Sequence, residues 1–78
     1  MSFETEQSQK AVMEKTIKNF VDVVGLKIVE QDDCCITFDG DKVGYVTVRF
    51  AQKNNKLEVK LETREFEYPV KKFVEGFK

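Results

Sequence analysis

Two adjacent cysteines, Cys34 and Cys35, are the most reactive side chains in this 78-residue sequence, and they follow two adjacent aspartates, Asp32 and Asp33. In an extended chain, neighbouring side chains point to opposite faces. Two thiols in that arrangement fall short of a zinc site, and the sequence has no histidine to complete one. A ring closed between neighbouring cysteines is rare, so they read as free thiols in a reducing compartment, with Cys34 turned into the core. The missing histidine also removes the usual general base near neutral pH. Asp32-Asp33 and the pair Asp39/Asp41 fall where turns are expected, and turns favour Asp for local hydrogen bonding. Asp39, Gly40, Asp41 and Lys42 lack the spaced oxygen ligands and terminal glutamate of a calcium loop. No glycine-rich phosphate loop is present. The expectation is a chain without catalytic residues, metal or cofactor.

Side chains suited to contact are easier to find. Residues 43–50 alternate Gly44, Val46, Val48 and Phe50 with Tyr45, Thr47 and Arg49, the period of two that marks a half-buried strand. One side of this strand is core; the other presents an aromatic, a hydroxyl and a guanidinium to solvent. Leu57, Val59 and Leu61 alternate in the same way with Glu58, Lys60 and Glu62. Tyr45, Thr47, Arg49, Lys60 and Glu62 are therefore the expected partner-binding residues of an open sheet face. Phe66 and Tyr68, with Phe77, form a second contact candidate near the carboxyl end. They lie out of phase with Leu61, so a bend near Glu65 decides whether they are core or interface.

These strands need elements to position them. Residues 4–24 read as a helix, with Val12 or Met13, Ile17, Phe20, Val21 and Val24 on one stripe, firm from Lys10 onward. Ser2 or Thr5 would cap it, and Gly25 fits its left-handed close, with Leu26 folding back on the last turn. Residues 26–31 follow as a strand with Leu26 and Ile28 core-facing, and residues 34–39 as another with Cys34, Ile36 and Phe38 inside. That arrangement puts Lys27, Val29, Gln31, Cys35 and Thr37 on the open face. Asp39-Gly40 signals a hairpin and Asn54-Asn55 a further turn. Pro69 marks the start of a short amphipathic helix carrying Val70, Phe73, Val74 and Phe77. The expected fold is a single α+β domain over residues 1–78. It has two layers: an N-terminal helix, a four-stranded antiparallel meander sheet and a short C-terminal helix, both helices on one face.

Thirteen basic and fourteen acidic residues give a net charge of −1, with −3 over residues 1–51 and +2 over residues 52–78. Neither balance suits a nucleic-acid glove, and no apolar run is long enough for a membrane span. A cytoplasmic setting is expected. A chain this short buries only about 60–65% of its unfolded surface, leaving room for stabilisation by a partner or a second copy. The order of elements is similar in topology to double-stranded-RNA-binding domains, whose basic cluster at the last helix has Lys71-Lys72 as its counterpart. Residues 44–50 also look like the strand motif of RNA-recognition domains. Those stack bases on aromatics two positions apart, whereas here Tyr45 is followed by Thr47, and Phe50 lies on the opposite side. The first expectation is a non-enzymatic protein-binding module, an inhibitor, adaptor or accessory factor of the kind mobile elements carry, plausible as a homodimer. The alternative is an RNA- or DNA-binding domain of helix–sheet–helix topology.

Overall fold

The structure is a computed structural model describing residues 1–40 and 43–77. Strand β1 (Ser2–Thr5) comes first, followed by helix α1 (Gln9–Ile17), which continues as a π-helical segment (Lys18–Val23). Strands β2 (Lys27–Gln31), β3 (Cys35–Asp39), β4 (Tyr45–Lys53) and β5 (Lys56–Arg64) precede helix α2 (Glu67–Glu75). One antiparallel sheet contains every strand, in the order β1-β5-β4-β3-β2. The α+β class and the meander of β2 to β5 match the sequence expectation, but the sheet has five strands and not four. Chain-adjacent β1 and β2 therefore lie at opposite edges, and the N-terminal helix crosses the sheet between them.

The added strand takes Glu4 and Thr5 from the start of the expected helix, together with Ser2 and Phe3 ahead of it. Helix α1 starts late because Ser8 caps it, its hydroxyl accepting the N–H of Ala11 at 3.2 Å. Upstream, Phe3 pairs with Val59 and is buried, its ring stacked on Phe77 at 4.5 Å and edge-on to Phe73 at 6.3 Å. A single apolar residue in four leaves no period to read, so β1 is specified by this aromatic packing. Within the helix Val12, Thr16 and Phe20 are fully buried at successive four-residue steps. The hydroxyl of Thr16 donates to the carbonyl of Val12 at 2.7 Å, which lets a polar residue sit there. Phe20 meets Phe38 and Phe73, both at 5.3 Å, so sheet and both helices share one core. Gly25 closes the helix at φ +89°, and the N–H of Leu26 returns to the carbonyl of Phe20 at 2.8 Å, as the sequence implied.

Ile36 and Phe38, Val46, Val48 and Phe50, and Leu57, Val59 and Leu61 make the buried sheet face. Strand β2 departs from expectation. It contributes no buried residue, and Ile28 is 38% exposed. The register slips between Ile28 and Glu30, a bulge on the edge strand that places Glu30 opposite Thr37 and Gln31 opposite Ile36. Gln31 thus turns to the helix side, its amide 3.8 Å from the sulfur of Met13, and leaves the open face to Glu30. The β3–β4 connection spans residues 40–44, with the Gly40 N–H on the Gly44 carbonyl at 2.9 Å. Asp41 and Lys42, and with them the proposed Asp39/Asp41 pair, lie outside the described residues. Asn54-Asn55 forms the two-residue turn into β5, Asn54 at φ 57°. Beyond β5, Glu65 at φ 74° makes the anticipated bend. Helix α2 then begins at Glu67, so Pro69 stands third in the helix and not first. Val70, Phe73 and Val74 are buried against the sheet. No helix among the described residues is long and apolar enough to cross a membrane.

Candidate functional site

Antiparallel register orders the open face into rows, because directly paired residues share a side of the sheet. One row runs Lys27, Asp39, Tyr45, Arg64; the next runs Glu30, Thr37, Thr47, Glu62. A third runs Cys35, Arg49, Lys60, Ser2, and a fourth Ala51, Glu58, Glu4. Five of the residues singled out from the sequence, Tyr45, Thr47, Arg49, Lys60 and Glu62, therefore come together on neighbouring strands. Thr37 and Thr47 face each other with hydroxyl oxygens 3.5 Å apart. A groove of about 380 Å³ beside them is lined by Thr47, Arg49, Lys60 and Glu62 and is walled by Ser2 of the unforeseen edge strand and by Met1 just before it.

The charges on this face are interleaved. Arg49 and Lys60, both exposed, stand directly opposite one another, a like-charge juxtaposition that costs a few tenths of a kcal/mol or more. Glu58 and Glu62 flank Arg49 diagonally, at about 7–8 Å, and offset part of that cost. Glu58 draws the ammonium groups of Lys60 (4.0 Å) and Lys53 (3.9 Å). Among the described residues the Arg49 guanidinium has neither an ion-pair partner nor a hydrogen-bond partner. Its five N–H donors are left to solvent.

Phe66 and Tyr68 do not form a joint patch. Phe66 is half-buried against the core, its ring packed so closely on Gly40 that a Cβ there would strike it. Phe77 also turns inward, onto Phe3 and Phe73. Tyr68 alone faces solvent, 69% exposed, with the Lys72 ammonium 5.7 Å from its ring centre.

The cysteines depart furthest from expectation. Cys34 and Cys35 are joined by a disulfide bond, neither is free, and Cys34 is exposed, not in the core. The expectation failed because β3 begins only at Cys35, which leaves Cys34 in the β2–β3 turn. There Asp32 Oδ1 accepts the backbone N–H groups of Cys34 at 3.0 Å and Cys35 at 2.9 Å, an Asx turn that aims both sulfurs outward. Asp32 and the two sulfurs lie within 4.8 Å of one another. Sulfurs bonded to each other offer no thiolate to a metal, so this cluster is not a metal centre in its disulfide form. From the disulfide a second groove of about 580 Å³ extends across the sheet past Thr37 and Thr47 to Arg49. Adjacency of the two cysteines was the only sequence signal for this feature. Compared with models of known protein families and with curated proteins, the chain matches none.

Proposed function

We propose that this chain is a small non-enzymatic protein-binding module whose open sheet face docks a protein partner of mixed charge, one of the partner's carboxylates meeting Arg49. It would act as an inhibitor, adaptor or accessory factor, and the cytosolic setting expected from the sequence goes with it. The observation that carries the proposal is the Arg49 guanidinium, unpartnered among the described residues, beside Lys60 at the centre of four cross-strand rows. An arginine fork matches a carboxylate bidentately because its donors are pre-organised in one plane, and arginine is among the residues that dominate binding energy at interfaces. Tyr45 and the two threonines supply adaptable neighbours. Nucleic-acid binding fits less well, since Glu30, Asp39, Glu58, Glu62 and Glu4 are interspersed on the same face and would repel a phosphate backbone.

Affinity capture followed by mass spectrometry tests this, with wild type, Arg49→Glu, Lys60→Glu and Tyr68→Ala as parallel baits checked for folding by circular dichroism. A partner held by wild type and Tyr68→Ala but lost from both charge reversals is expected. Retention of the partner by Arg49→Glu would refute the docking face. Nuclease-sensitive capture would move the chain to the nucleic-acid class. Light scattering over a wide concentration range decides whether a second copy is the partner, and a persistent 9.1 kDa species would exclude it.

A further inference from the structure

We infer that the Cys34–Cys35 pair is a thiol–disulfide exchange site for small thiols of the glutathione class, opened by attack at Cys34 Sγ. The inference does not rest on the partner-binding proposal. A disulfide that staples a fold gains its effect by closing a chain loop in the unfolded state, and a bond between residues one apart in sequence closes almost none. Nor does it fill a core, because Cys34 is exposed and Cys35 only half-buried. Neither structural role is served, while the bond itself lies open to a reagent in solution.

The surroundings give the reaction a direction. Glu30, Asp32, Arg49, Glu58 and Lys60 are the charged groups lining the groove at the pair. Asp32 Oδ1 stands 3.2 Å from Cys34 Sγ and disfavours a thiolate at that sulfur, whereas Cys35 is paired directly across the strands with Arg49, which favours one. Exchange proceeds faster when the departing sulfur is the better thiolate. The incoming thiolate attacks the exposed Cys34 Sγ, and the Cys34–Cys35 bond breaks. Its electron pair goes to Cys35 Sγ, which takes a proton from water. A second small thiolate then attacks the small-molecule sulfur of the mixed disulfide and releases Cys34, which is protonated in turn and donates its S–H to Asp32. Overall, two small thiols are oxidised to one small disulfide and the protein disulfide is reduced to two thiols. The reverse sequence closes the pair.

The test equilibrates the whole chain without oxygen in buffers of graded glutathione to glutathione-disulfide ratio. Samples are quenched in acid, alkylated with N-ethylmaleimide under denaturing conditions and weighed by mass spectrometry. Two species are expected, with no adduct or two, in proportions that follow the ratio and reverse when it is reversed. Two adducts at every ratio, none at every ratio, or chains linked to one another on a non-reducing gel would each overturn the assignment. Early quenching traps the mixed disulfide, and fragmentation between the two cysteines locates it. Glutathione on Cys34 in several-fold excess over Cys35 is expected; equal amounts, or an excess on Cys35, would overturn the direction of attack.

Discussion

Replacing Phe3 with Ala tests the observed edge strand against the expectation of a helix that begins only at residue 4. In an unpacked tail ahead of that helix, Phe3 would contact little, and the change would cost under about 0.5 kcal/mol, as surface substitutions do. In the structure its ring is 8% exposed and packed between Phe73 and Phe77, and its backbone is paired with β5. Truncating a fully buried phenylalanine costs about 3–5 kcal/mol. An edge strand can relax around the lost ring, so the low end, about 3 kcal/mol, applies here. A domain of this size has about 4–12 kcal/mol of total stability, so the loss is a large fraction of the whole. With a urea m-value near 1 kcal/mol/M, the midpoint should fall by about 3 M, and the melting temperature by about 12–24 °C. The chain has no tryptophan, so unfolding is followed by circular dichroism. Phe3→Leu, which keeps most of the volume, should lose only about 1 kcal/mol and guards against a variant too unstable to measure. A Phe3→Ala midpoint within about 0.5 M of wild type would refute the strand and return these residues to an unpacked tail.

Gly44→Ala should cost about 2 kcal/mol or more, read in the same urea titration, because the new methyl, just ahead of β4, would meet the backbone carbonyl of Arg64 at the end of β5. Glu65→Gly should raise stability by about 0.5 kcal/mol: relief of a side chain at φ 74°, worth about 1–2 kcal/mol, exceeds the extra chain entropy that glycine loses. Reducing the Cys34–Cys35 bond should shift the melting temperature by less than about 4 °C, since it frees no loop; a larger drop in a calorimetric scan would show a structural role. Arg49→Ala should leave the unfolding free energy from a urea titration within about 0.5 kcal/mol of wild type, because Lys60 opposite it and Glu58 and Glu62 beside it act in opposite senses.

What could be read from the sequence was whatever repeats. Val46, Val48 and Phe50, Leu57, Val59 and Leu61, and Ile36 with Phe38 announce their buried side by alternation, and all are buried. Gly25 and Asn54-Asn55 announce turns through backbone chemistry. Features carried by single residues stayed hidden. Phe3 is one aromatic in a polar stretch, and nothing local says that its partners are Phe73 and Phe77, seventy residues away. Gln31 is turned to the helix side by a bulge, and a bulge has no period. Thr16 sits at a core position that a hydrophobic stripe skips, admitted because its hydroxyl finds the carbonyl one turn back. Cys34 lost its place in the core to a turn that ends one residue later than the pattern suggested.

The open face depends on those two kinds of information together. Alternation alone decides that Arg49 and Lys60 are on the solvent side, but only register decides that they are neighbours. A two-residue turn at Asn54-Asn55 pairs Lys53 with Lys56 and, four residues further on each strand, Arg49 with Lys60. One residue more in that turn would oppose Arg49 with a core leucine and drive one strand's apolar set into water. Asn tolerates the positive φ that such a turn requires, so the turn chemistry and the buried set at Val48, Phe50, Val59 and Leu61 enforce the same pairing. At the other side of the row the β3–β4 connection also begins four residues away, at the Asp39–Tyr45 pair, and the pairing of Ile36 with Val48 and Phe38 with Val46 holds Cys35 opposite Arg49. The cationic centre of the face and the disulfide beside it are thus held in place by the core beneath them. Substitutions on the open face can therefore be made to test binding or exchange without disturbing the fold that presents them.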